Sequence, residues 1–258
     1  MITIEEKLTS LNKAALVSYV MVGDPNLKTS YEIIEALIKS GSDVIELGMP
    51  FSDPVADGDA IQKAAKRALK NNISISDCLS LANKLKENYP DIPLILMGYF
   101  NPIHKYGTKK FIRDASKSGI DGLIIVDLPY EELINYPEFE ASSISIINLI
   151  TPLTKGDRLK NILKKASSFL YYISVFGITG TQKPNLKSVK KEVLILRKAT
   201  KKKIAVGFGI NSKAQVKELS GFSDLIVIGS AYCKIIEKHQ TKKSILLKEL
   251  KAFNKSLI

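Results

Sequence analysis

The chain has 258 residues, 45% of them hydrophobic, and carries 38 Lys and Arg against 26 Asp and Glu for a net charge of +12. An apolar fraction of this size over this length supports a large core and excludes a chain whose main state is disorder. Two cysteines, Cys78 and Cys233, far apart and without metal-ligand spacing, argue against a disulfide framework or zinc site, and no apolar run approaches the roughly 18 residues of a membrane span.

The opening residues Met1-Ile2-Thr3-Ile4-Glu5-Glu6-Lys7-Leu8 lack the basic-then-apolar order of a secretory signal. A cytoplasmic protein is expected, with the plastid stroma as the other reducing compartment. Beyond a short N-terminal helix, apolar runs of strand length recur at 16–21, 44–47, 94–97, 122–126, 144–150, 169–173, 204–206 and 225–228. Their near-continuous hydrophobicity marks strands buried on both faces, as in a parallel sheet with helical crossovers. Helical patterns fall at 29–39, 60–69, 75–88, 109–118, 131–135, 157–166, 186–199 and 212–219, with a further short helix at 231–238. Eight strands at a mean spacing of about 30 residues, in a chain near the ~250 residues typical of the fold, predict a (β/α)8 TIM barrel, with a doubly wound open sheet as the alternative. No linker or composition break divides 1–258, so a single domain is expected. The surplus lysines are dispersed, as at Lys160, Lys164 and Lys165, and their densest run, Lys201-Lys202-Lys203, is a turn without interleaved aromatics. That pattern predicts a solvated surface, with no nucleic-acid and no membrane partner.

In a (β/α)8 barrel the chemistry sits at the C-terminal ends of the strands and in the loops that follow. Strand two holds Asp43-Val44-Ile45-Glu46-Leu47, and alternation puts Val44 and Glu46 on one face and Ile45 and Leu47 on the other. A carboxyl is thus aimed into an apolar interior, where burial raises its pKa toward the range useful for proton transfer at neutral pH. Two readings follow: a proton-transfer group, or a structural carboxylate held by backbone donors. The next loop, with Gly48, Pro50, Pro54 and Gly58, returns Asp53 and Asp57 along a restricted path.

The other strand ends carry Tyr99-Phe100-Asn101-Pro102, Asp127-Leu128-Pro129, Thr151-Pro152, Gly177-Ile178-Thr179-Gly180-Thr181, Gly207-Phe208-Gly209, and Gly229-Ser230 at a helix start. The last three read as a phosphate cradle, because glycines let backbone N–H groups approach an anion and a helix N-terminus adds partial positive charge. His104, His239 and Lys105 receive no catalytic role.

The run Glu46-Leu47-Gly48-x-Pro50-Phe51-Ser52-Asp53-Pro54-x-Ala56-Asp57-Gly58, with Ile61-Gln62 after it, resembles the signature of the tryptophan synthase alpha chain family. The match extends from Gly23-Asp24-Pro25 through Gly177-Ile178-Thr179-Gly180 and Gly207-Phe208-Gly209 to Gly229-Ser230-Ala231. The resemblance implies retro-aldol cleavage of indole-3-glycerol phosphate to indole and glyceraldehyde 3-phosphate. It implies no cofactor and no metal in this chain, and a PLP-containing beta chain as partner in an alpha2beta2 heterotetramer. By the same resemblance Glu46 is the acid and base at indole C3 and the side-chain hydroxyl, and Asp57 holds the indole N–H. Tyr171 and Thr179 would line the site, Tyr19, Met97, Tyr99 and Phe208 would wall the indole, and Gly180, Gly209, Gly229 and Ser230 would bind phosphate. Asp53-Pro54, Asn101-Pro102 and Pro129 would lie at or near the partner interface. Val175-Phe176 and Leu153 depart from the family pattern. The other readings are a different phosphate-binding barrel enzyme and a non-catalytic phosphate-ligand-binding partner protein.

Overall fold

The strands are β1 (Ala15–Met21), β2 (Val44–Gly48), β3 (Leu94–Gly98), β4 (Gly122–Ile125), β5 (Ser145–Ile146), β6 (Asn148–Ile150), β7 (Phe169–Ile173), β8 (Lys203–Gly207) and β9 (Leu225–Ile228). They come from a computed structural model that describes residues 2–173, 186–207 and 209–258. All pairings are parallel, in the order β5-β4-β3-β2-β1-β9-β8-β7-β6. The run expected as one strand over 144–150 is two short pieces, because its halves pair to opposite neighbours: β5 to β4, and β6 to β7. Between them the Ile147 N–H donates to the Leu123 carbonyl at 2.9 Å. The two ends of the sheet therefore meet at this strand, the barrel is nearly closed, and the open-sheet alternative is excluded.

Alternation sorts the barrel's residues into two cores. Val17, Val44, Ile95, Phe169, Ala205 and Leu225 pack inside it, and Ile4 and Leu8 of α1 (Ile4–Ser10) join them from the N-terminal end. That helix starts at a capping box formed by Thr3 and Glu6. The opposite faces, with Ile45 and Leu47, pack against Ile33 and Leu37 of α2 (Leu27–Lys39) and Ala64 and Ala68 of α3 (Asp59–Lys70). Full burial of Ile45 and Leu47 contributes about 1.5–3 kcal/mol each, enough for strand two to carry one buried carboxyl.

Carboxylates tie strand starts together. Asp43 Oδ2 accepts from the Leu16 N–H at 2.9 Å, Asp121 Oδ2 from Leu94 at 2.8 Å, and Asp224 Oδ2 from Ile204 at 2.9 Å. Such charge-assisted bonds are worth about 1.5–3 kcal/mol each, and they cluster at the end of the barrel away from the strand C-termini, where stability and not chemistry is at stake.

The crossover helices continue with α4 (Ile75–Asn88), α5 (Phe100–Tyr106), α6 (Thr108–Lys117), α7 (Pro137–Glu140), α8 (Gly156–Lys165), α9 (Leu186–Ala199), α10 (Lys213–Ser220), α11 (Ser230–His239) and α12 (Lys243–Leu257). Two expectations need correction. The segment after strand three is helix α5 rather than a loop: Pro102 sits in its first turn, where a missing N–H costs nothing, and Asp127 Oδ1 accepts from the Phe100 N–H at 2.6 Å. The helix expected at 131–135 is a 3₁₀ turn, Tyr130–Asn135, followed by the one-turn α7. His104 and Lys105 lie exposed on α5, and His239 Nε2 is 3.1 Å from Glu249 Oε2. α12 is fastened by a buried network: the Tyr232 hydroxyl donates to Asn254, and Asn254 Nδ2 donates to the Leu37 carbonyl at 3.2 Å and to Ser40 Oγ at 3.0 Å. Among the described residues no helix is long and apolar enough to cross a membrane.

Candidate active site

Glu46 stands on the inward face of β2, registered between Tyr19 of β1 and Ile95 of β3, and is 1% exposed. Its Oε1 has no hydrogen-bond partner among the described residues. Burial, with a smaller contribution from the charge of Asp57, pushes its pKa up to about 8. The reading of Glu46 as a carboxylate satisfied by backbone donors does not account for that bare oxygen.

Asp57 is delivered by a tight turn. Its N–H donates to the Pro54 carbonyl at 3.0 Å, its carbonyl accepts from Gln62 Nε2 at 2.7 Å, and Gly58 then caps α3. Its Oδ2 accepts from the Tyr99 hydroxyl at 3.1 Å, and that hydroxyl accepts from the Ala56 N–H at 3.1 Å. Burial raises Asp57 to about 6, with the Tyr99 bond acting in the opposite direction. At neutral pH Asp57 is ionised while Glu46 holds its proton, so environment gives the two carboxyls different states.

Both face a pocket lined by Tyr19, Ile61, Met97, Tyr171, Gly207, Gly209, Val227, Gly229 and Ser230. Two glycines make room for its tyrosines: a Cβ on Gly48 would lie 2.2 Å from the Tyr19 hydroxyl oxygen, and one on Gly207 2.5 Å from that of Tyr171. Gly209 adopts φ +57°, a left-handed conformation suited to glycine. Gly229 is the N-cap of α11 and Ser230 its first residue, so a helix N-terminus, whose first N–H groups have no partner within the helix itself, opens at the pocket. No Lys or Arg is among these lining residues.

The structure thus gathers Glu46, Asp57, Tyr19, Met97, Tyr171, Gly209, Gly229 and Ser230 around one cavity. Tyr99, expected as a wall of the pocket, is not part of its lining. It is 3% exposed, and its hydroxyl joins Asp57 to the Ala56 N–H of the preceding turn. Thr179, Gly180 and Phe208, like Val175 and Phe176, lie outside the described residues. Ile61, Val227 and Gln62 are additions. Val227 carries a sequence signal, lying two residues before Gly229 on the inward face of β9, whereas the Gln62 bond depends on the fold of the loop. Among the described residues no group of three or more His, Cys, Asp and Glu side chains is placed to hold a metal ion.

Fold and site together define a (β/α)8-barrel enzyme with a buried carboxyl pair beside a glycine-lined hollow that, among the described residues, no Lys or Arg lines. A model of the tryptophan synthase alpha chain family matches residues 6–257. The chain is 44% identical over 247 residues to the tryptophan synthase alpha chain of Petrotoga mobilis, covering 95% of each. It is 40% identical over 242 residues to that of Neisseria gonorrhoeae, covering 92% of this chain and 93% of the other. The crystal structure of tryptophan synthase subunit alpha from Legionella pneumophila is similar with a TM-score of 0.91 at 33% identity, covering 100% of this chain and 97% of that one. The chain belongs to the tryptophan synthase alpha chain family.

Proposed function

We propose that the pocket at Glu46 and Asp57 is where this chain cleaves indole-3-glycerol phosphate to indole and glyceraldehyde 3-phosphate, the reaction of its family, with 1–258 acting as one barrel domain in the cytoplasm. Protonated Glu46 delivers its proton to indole C3, and positive charge develops on the ring nitrogen. Ionised Asp57 accepts the indole N–H and stabilises that charge. The bond from C3 to the side-chain carbon then breaks, its electron pair returning to the ring, while the hydroxyl on that carbon loses its proton to Glu46 and becomes the aldehyde. Glu46 ends protonated as it began, and the step consumes no water. Tyr19, Met97 and Tyr171 surround the ring, and the phosphate rests on backbone N–H groups at Gly209, Gly229 and Ser230. In this family the alpha chain carries no cofactor, and PLP resides in the beta chain that receives the indole.

The observation that supports this reading most is a buried carboxyl, one oxygen of which has no hydrogen-bond partner among the described residues, facing the same cavity as a second carboxyl. Glu46→Gln keeps the size of the side chain and removes the transferable proton, so kcat should fall about 10²–10⁴-fold in a folded variant. Turnover near that of the parent chain would overturn the assignment.

A further inference from the structure

Arg67 sits in the last turns of α3, outside the pocket, yet its guanidinium reaches two of the other segments that build it. Nε donates to Asp24 Oδ1 at 2.7 Å and Nη2 to Asp24 Oδ2 at 2.8 Å, a bidentate pair in which Asp24 is 0% exposed and the Arg67 side chain 14%. Nη1 lies 3.8 Å from Glu237 Oε1 on α11. Beside it, Lys63 Nζ is 2.8 Å from Asp59 at the start of α3 and 3.9 Å from the same Glu237 oxygen. Asn71, the C-cap of the same helix α3, also holds the Asp24 segment, its Nδ2 donating to the Pro25 carbonyl at 2.6 Å.

Each segment in this cluster leads to a pocket residue. The Asp24 segment continues β1, which carries Tyr19. α3 is capped by Gly58, directly after Asp57. α11 begins at Ser230, two helical turns, or about 10 Å, before Glu237. The same guanidinium therefore bonds the Tyr19 segment to the helix that follows Asp57, and lies against the helix whose N-terminus opens at the glycine cradle.

We infer that Arg67 is a positioning residue that fixes the spacing between the Glu46 and Asp57 carboxyls and the anion cradle at Gly229 and Ser230. The inference rests on the proposed reaction, in which one substrate must reach both. Its phosphate seats locally on backbone N–H groups, so binding of a short phosphate ligand does not depend on the spacing. The reacting carbon does depend on it, and a displacement of about 1 Å can cost on the order of 10²-fold in rate. A lysine at 67 retains the charge but cannot form the planar two-point pair.

The test compares parent chain, Arg67→Lys and Glu237→Gln for indole release from indole-3-glycerol phosphate, for calorimetric binding of glycerol 3-phosphate, and for thermal melting. Lys165→Met, which removes the 2.7 Å pair with Glu140 on α7, serves as control. In Arg67→Lys, kcat should fall tenfold or more, and in Glu237→Gln threefold or more. Glycerol 3-phosphate affinity should stay within threefold in both, and the control should match the parent. These rates are read well below each melting temperature. A lower melting temperature with kcat within twofold of the parent in the folded variants would overturn the inference and leave Arg67 a structural residue. If Arg67→Lys does not fold, Glu237→Gln decides alone. Absence of indole release by the parent chain would refute the reaction itself, an outcome distinct from parent turnover with unaffected variants.

Discussion

Glu46 and Asp57 share a cavity but are poised in opposite states, and the pH dependence of the enzyme should carry both signatures. Asp57 must lose its proton near about 6 and Glu46 must keep its own up to about 8. The profile of kcat/KM should rise through the first value, fall through the second and be highest between them, the two apparent values belonging to the coupled pair. A flat profile from about pH 5 to 9 would contradict the assignment. Stability should move as well. The folded state holds the Glu46 proton more tightly than the unfolded chain does, so this group's contribution is fully present below its ordinary 4.5 and is lost as pH rises through about 8. By linkage the loss reaches on the order of 4 kcal/mol at pH 8. Glu46→Gln, inactive, should therefore melt above the parent at pH 8, with the gap closing toward pH 4.5. A gap that does not change with pH would mean that Glu46 is not a buried acid of raised pKa.

The elements that shape the proposed phosphate hollow are short and depend on backbone conformation. Gly209, at φ +57°, lies where a β-branched residue is a strained outlier, and such a side chain would intrude on the proposed anion seat. Gly209→Val should weaken glycerol 3-phosphate about tenfold or more in calorimetry, whereas Lys201→Ala and Lys202→Ala should leave it unchanged. The reverse order would move the anion to surface lysines. Eight strands were legible because both their faces are buried, which leaves continuous apolar runs, and Glu46 was legible because alternation alone aims it inward. Three features were not. The break at Ile147 reflects which neighbour each half of the strand pairs with, which is information the local run does not carry. α5 was hidden because Asn101-Pro102 has the composition of a turn, while the acceptor for its first N–H is Asp127, 27 positions away. Tyr99 has the residue type of a pocket wall, and only the folded loop shows its hydroxyl bound to Asp57.

At the scale of the whole molecule, the barrel presents exposed apolar side chains on the segments that follow strands: Val55 at 75% exposure, Ile134 at 77% and Leu153 at 73%. Val55 adjoins Asp53-Pro54, the segment expected at or near the beta-chain interface, and sits two residues from Asp57, the proposed partner of the indole N–H. Docking there can act on the Asp57 turn directly, and a partner that favours the working form of a loop shifts its population by the differential affinity, typically about 1–3 kcal/mol. The most direct test of the whole reading is release of indole and glyceraldehyde 3-phosphate from indole-3-glycerol phosphate by the purified chain, measured with and without a cognate beta chain. The two products should appear in equal amounts, slowly from the chain alone and roughly 5–150-fold faster with the partner. A folded chain that yields no indole in either condition would contradict that reading.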